Sequence, residues 1–91
     1  MRVTISMLQS QCNTINNLKR TPLEYSSRIN SQFKSNIGNY HLYQAYGSIA
    51  LHQTMNEGGG IKEIFSLTTK KDLFYQLQAF IRGLIDSREV A

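Results

Sequence analysis

Apolar residues near the start of the chain recur at helical spacing. Ile5, Leu8, Cys12, Ile15 and Leu18 lie three or four positions apart, so residues 4–18 predict an amphipathic helix with these side chains on one face. Thr4 suits the N-cap, and Lys19 and Arg20 suit the negative end of the helix dipole. The opposite face reads Gln9, Ser10, Asn13, Asn16 and Asn17, with no charge where a solvated helix usually carries ion pairs. Those amides read either as a polar surface or as hydrogen-bonding groups for a partner. Thr21-Pro22 stops the helix.

In residues 23–34, Tyr25, Ile29 and Phe33 fit either one helix face or one face of an extended chain. The intervening Ser, Asn and Arg favour a loop followed by a strand. Residues 36–43 predict a strand with Ile37 and Tyr43 on one side and Tyr40 and Leu42 on the other. Gly38 within it marks a bulge or a close backbone approach. A turn near Gly47 leads to residues 48–55, where Ile49, Leu51 and Met55 on one side fit either a returning strand or a short helix, and the strand is favoured. Asn56-Glu57-Gly58-Gly59-Gly60 reads as a turn or mobile loop, followed by a short apolar piece with Ile61, Ile64 and Phe65.

The last helix opens on Thr69 with Asp72 three residues on, a capping-box variant. Leu73, Leu77, Phe80 and Leu84 form its apolar stripe, widened by Phe74, Ile81 and Ile85. Gly83 inside the stripe suggests close packing against another backbone, and residues 86–91 are expected to fray. Together these elements predict one α+β domain over residues 1–91. Its order is N-terminal helix, short antiparallel sheet of two or three strands, and C-terminal helix, with both helices on one sheet face. So small a sheet leaves open edges, which favours a homo-oligomer.

Charge sharpens this picture. Asp, Glu, Lys and Arg make up 18% of the chain, yet none occurs from Ser35 to Asn56. That window holds both histidines and Tyr40, Tyr43 and Tyr46. A segment that avoids charge for so long is expected to be desolvated, by the fold itself or by a partner. The net charge of +4 sits at the front, where Arg2, Lys19, Arg20, Arg28 and Lys34 face Glu24 alone. This is either ordinary solvation or an attraction for nucleic acid, an anionic ligand or an acidic surface. At 91 residues the chain buries only about 60–65% of its unfolded surface, so pairing with a second copy would add stability.

The chemistry on offer is sparse. Cys12 is the lone cysteine and falls on an apolar stripe, where it reads as a small core residue and not as a nucleophile. His41 and His52 are eleven residues apart and lack a third ligand, so no metal is expected. The six carboxylates are scattered, which argues against acid–base catalysis. Gly58 to Gly60 with Lys62 does not match a phosphate-binding loop. No apolar run is long enough to span a membrane, and no apolar segment follows Arg2, so a cytoplasmic location is expected. These residues point to no enzyme and no cofactor.

Several segments together resemble a group of small proteins encoded by bacteriophages and prophages. They are Asn36-Ile37-Gly38-Asn39-Tyr40-His41-Leu42, Ala45-Tyr46-Gly47, Asn56-Glu57-Gly58-Gly59-Gly60, Thr69-Lys70-Lys71-Asp72-Leu73 and Ala79-Phe80-Ile81-Arg82-Gly83-Leu84. The likeness covers roughly residues 36–84, and Ser48 stands where that group often has a second Gly. The resemblance implies a phage source, hence a small protein that works by stoichiometric binding in the host cytoplasm, inhibiting a host defence component. The expected contact residues are Tyr40, His41, Tyr43 and Tyr46, with Asn56, Glu57, Gly58 and Gly59 of the loop. One alternative is sequestration of a small signalling nucleotide, with Tyr stacking on the base and Arg20, Arg28 or Lys62 meeting phosphate. Another is nucleic-acid binding through a basic patch of Lys19, Arg20 and Arg28, although the first helix presents amides where a groove-reading helix presents Arg and Lys.

Overall fold

A computed structural model describes residues 2–29 and 32–90. The chain runs α1 (Ile5–Lys19), β1 (Ser26–Ile29), β2 (Gln32–Ser35), β3 (Tyr40–Ala45), β4 (Ser48–Thr54), β5 (Ile61–Thr68) and α2 (Lys70–Val90). This is the α+β order expected, with two additions. The stretch after the glycine turn, expected only as a short apolar piece, is the eight-residue strand β5. The segment 23–34 folds as two short strands, β1 and β2, paired antiparallel as a separate sheet, and not as one strand after a loop.

Thr4 caps α1, its hydroxyl accepting the Met7 N–H at 3.2 Å. The helix ends one residue before Thr21-Pro22. Arg20 takes the left-handed conformation (φ 56), its N–H donates to the Asn17 carbonyl, and the Thr21 N–H donates to the Asn16 carbonyl. This is the two-bond C-terminal motif that usually carries Gly at the left-handed position. At the other helix Thr69 accepts the Asp72 N–H at 3.1 Å, while the Asp72 carboxylate accepts from Thr68. α2 continues through Val90, past the point where fraying is expected; Ala91 lies outside the described residues.

The main sheet has the order β3-β4-β5, antiparallel throughout. The β3–β4 hairpin turns on two residues, Tyr46 and Gly47, both at positive φ (54 and 73). That pair of conformations makes a type I′ turn, whose twist matches the flanking strands. β4 is the central strand and is buried along most of its length. Met55 lies beyond β4 and is half-exposed, so it does not share the face of Ile49 and Leu51. Two register shifts between β4 and β5 let Ile64 and Phe65 both reach the core.

Both helices cover the sheet face that carries Tyr40, Leu42, Ile49 and Leu51. They run in the same direction. Ile5 and Lys70, at their starts, lie together beside the β3–β4 turn, and Lys19 and Phe80 both reach Tyr40. Leu8, Cys12 and Ile15 of α1 meet Leu73 and Leu77 of α2 in a core from which water is excluded. Burial pushes the Cys12 thiol up to about 12, so it stays protonated and acts as a small apolar residue.

Asn16 does not sit on an open polar face. It is fully buried; its Oδ1 accepts the Tyr40 N–H at 2.8 Å, and its Nδ2 donates to the Tyr40 carbonyl at 2.9 Å. Gly38 lies in the turn before β3 and not inside a strand. Its φ is +92, and a Cβ there would press on the Thr21 methyl at 3.2 Å, so the close neighbour is a side chain. Gly83 faces open space, with nothing within 4 Å of a built Cβ, so it marks no close backbone approach.

Two stability outcomes follow from these placements. Asn16→Asp keeps the shape but cannot donate to the Tyr40 carbonyl and introduces a buried charge. It should cost at least about 2 kcal/mol in urea unfolding, and a loss within experimental error would contradict the role given to Asn16. Gly83→Ala should raise stability by about 1 kcal/mol in the same assay, because only the helix-propensity term changes; destabilisation would show that something packs there.

Candidate functional site

The two sheet faces differ in kind. Alternation along β3 and β4 sends Tyr40, Leu42, Ile49 and Leu51 to the helices and leaves His41, Tyr43 and His52 on the outer face. Directly paired strands bring His41 opposite His52, with ring centroids 5.9 Å apart. Tyr43 stacks on His52 at 4.7 Å and 15°, and Tyr25, which precedes β1, meets His41 edge-on at 4.6 Å. The four rings form a continuous aromatic surface. His52 is buried beneath it, while Tyr43 and Tyr25 remain about half-exposed.

The polar contacts of this surface are specific. Asn39, itself buried, donates its amide to the Pro22 carbonyl at 2.7 Å, which turns its Oδ1 toward His41 Nδ1 at 3.2 Å. In neutral His41 the proton therefore sits on Nδ1 and Nε2 is an acceptor. Burial lowers the His41 pKa; hydrogen bonding to the Asn39 backbone acts the other way, and His52 adds to the lowering. His52 Nε2 lies 3.9 Å from a Glu63 carboxylate oxygen on β5.

The expected contact residues do not form one patch. Tyr40 is 4% exposed, packs edge-on against Phe80 and belongs to the core, so it supports the surface from beneath. His41 and Tyr43 lie on the outer face. Tyr46 stands at the tip of the β3–β4 turn, 97% exposed. Asn56, Glu57, Gly58 and Gly59 are at the far end of β4, roughly 20 Å away along a seven-residue strand. That loop is a bonded turn: the Asn56 side chain accepts the Gly60 N–H at 2.9 Å, the Gly59 N–H meets the Asn56 carbonyl, and a Cβ at Gly60 would collide with the Asn56 amide. Glu57 braces the small sheet, accepting the Ser35 N–H with its carbonyl and holding Lys34 at 3.7 Å. Asn56, Glu57 and Gly58 are exposed and lie apart from the aromatic surface.

The basic residues are also divided. Lys19 and Arg20 end α1, and Lys19 Nζ sits 6.0 Å from the Tyr40 ring centroid. Arg28 lies on β1, its guanidinium 5.5 Å from the Phe33 ring. Lys62 is exposed on β5.

Sequence reasoning left His52 and Tyr25 out of the site. The signal for His52 is present in the chain: counting outward from a two-residue turn at Tyr46-Gly47 places His41 against His52. Tyr25 has no comparable signal, because its contact depends on how the chain returns after α1. A cleft of about 350 Å³ lies at the foot of the β3–β4 turn, lined by Gln44, Tyr46, Ser48, Ile5 and Lys70 among others. Among the described residues no group of three His, Cys, Asp or Glu side chains is placed to hold a metal ion. No protein-family model, curated protein or solved structure matches the chain.

The lowered His41 pKa fixes a pH dependence. Between the folded value and the ordinary value near 6.5, the unfolded chain binds the proton that the native chain refuses. Stability should therefore fall as pH drops below about 6.5 and level off once pH passes the folded value. His41→Gln should flatten that part of a denaturation profile; an unchanged slope would remove His41 as its source.

Proposed function

We propose that this chain is a small phage-encoded accessory protein that works by stoichiometric binding, and that its target is a host defence component. The contact surface is the outer face of β3 and β4 together with the turn that joins them. Tyr46 is the observation that carries this reading. It occupies the first central position of a type I′ turn at φ 54, a place that Asn, Asp or Gly fills with less strain, and it is 97% exposed. A left-handed residue with a Cβ costs about 1–2 kcal/mol, and a ring in solvent recovers none of it within the chain. An exposed tyrosine does supply contact area to a partner at low entropy cost. The phage source is supported by the resemblance of residues 36–84.

The cleft below Tyr46 favours a second reading, capture of a small nucleotide. There Tyr46 stacks on the base, and Lys70, in place of Arg20, Arg28 or Lys62, meets the phosphate. The separate placement of the basic residues gives the nucleic-acid reading no comparable support.

Tyr46→Asn separates function from folding, since Asn suits the turn. The variant should melt at or above the wild-type temperature and lose at least tenfold in affinity for the host protein that the wild-type chain captures by affinity purification from infected cells. Undiminished binding would remove the proposal. A thermal-shift screen with nucleotides distinguishes the second reading. A ligand at a hundred times its dissociation constant adds about 2.7 kcal/mol, and a flat response across cyclic and ADP-ribose-derived nucleotides would eliminate it.

A further inference from the structure

The outer edge of β3 carries hydrogen-bonding groups that the described residues leave unmatched, and we propose that a second copy of this chain pairs with them. Ala45 and Ser48 close the two-residue turn as a hydrogen-bonded pair. Alternation then directs the backbone groups of His41, Tyr43 and Ala45 toward β4, and those of Tyr40, Leu42 and Gln44 away from it. Asn16 occupies both groups of Tyr40. The N–H and C=O of Leu42 and of Gln44 face outward with no partner among the described residues.

Open edges are normally guarded by Lys, Pro or a bulge. β5, the other edge, carries Lys62, Glu63 and two register irregularities. β3 carries no such residue, and α1 bonds to its edge at Tyr40, through Asn16, leaving Leu42 and Gln44 unmatched. The β3 sequence, Tyr40-His41-Leu42-Tyr43-Gln44-Ala45, contains no Lys, Arg, Asp or Glu. Neutrality admits a second copy as the occupant: like charges directly opposite would repel, and this strand brings none to the seam, while the unmatched groups are self-complementary about a two-fold axis.

Only one two-fold register satisfies all four groups. Leu42 must face Gln44 of the second copy, and Gln44 must face its Leu42. Centring the axis on Leu42 would spend Gln44 on Tyr40, which Asn16 already holds; centring it on Gln44 would spend Leu42 on Tyr46 in the turn. The axis therefore passes beside Tyr43, placing the two Tyr43 residues opposite each other in a non-hydrogen-bonded pair, about 4.5 Å between Cα atoms. The aromatic surfaces of the two copies, each with His41, Tyr43 and His52, merge into one six-stranded face. The second copy thus contributes half of the proposed binding surface.

A cysteine pair reads this register. Tyr43→Cys should form a disulfide-linked dimer under mild oxidation, because the opposed Cα atoms fall within bridging range, whereas Gln44→Cys and His41→Cys should not. Native Cys12 is buried and does not interfere. Light scattering on the wild-type protein should give twice the chain mass at high concentration and needs no variant. A strict monomer there, or linkage at position 44 as fast as at 43, would overturn the pairing. Both readouts omit the host target, so a monomer would leave the proposed binding role standing.

Discussion

One buried amide determines where the sheet sits. Asn16, near the end of α1, meets both backbone groups of Tyr40 at the start of β3 and also accepts the Thr21 hydroxyl at 2.7 Å. Three pieces of chain are thereby held together: the helix, the segment that leaves it and the first strand of the main sheet. The side chain acts as a one-residue strand partner. It satisfies groups that would otherwise be buried without bonds, each worth about 1–3 kcal/mol if left unmet. It also brings Tyr40 beneath Phe80, so that α1, α2 and the sheet share one core.

Asparagine plays a similar part elsewhere. Asn36 receives the Ser27 hydroxyl and donates to the Glu24 carbonyl, Asn39 donates to the Pro22 carbonyl, and Asn56 closes the glycine turn. These amides bond to the chain's own backbone and side chains; Asn39 is buried, Asn36 partly buried and Asn56 exposed. A neutral amide with its bonds made can be buried at little cost, whereas an ionised group in the same place would have to shed its hydration. The outer rings of His41 and Tyr43, and Tyr46 at the turn, are what this internal use does not absorb.

Periodicity made the two helices legible, because Leu8, Cys12, Ile15, Leu73 and Leu77 each repeat on one face and are buried there, whereas Ile49 and Leu51 of β4 fitted a strand without excluding a short helix. The inward role of Asn16 was not legible, since a polar residue off the apolar stripe reads as surface until its partner is known. Tyr40 looked like a contact residue for a related reason: three tyrosines at equal spacing in a strand alternate between faces, and only the position of the helices says which face is core. The 23–34 hairpin was hidden because its strands are four residues each and carry little apolar pattern. Gly83 misled because a helical glycine has two readings, close packing or simple tolerance, and local sequence does not separate them.

The functional account inherits its geometry from this frame. Asn16 ends the open part of the β3 edge at Tyr40, the two-residue turn ends it at Ala45, and what lies between is a short neutral segment beside an aromatic face. Residue-resolved amide hydrogen exchange tests the frame most directly. The Tyr40 amide should be protected at every protein concentration, since its acceptor is within the chain, while those of Leu42 and Gln44 should gain protection only as concentration rises. Exchange of the Tyr40 amide at the rate of an exposed group would contradict the account at its base.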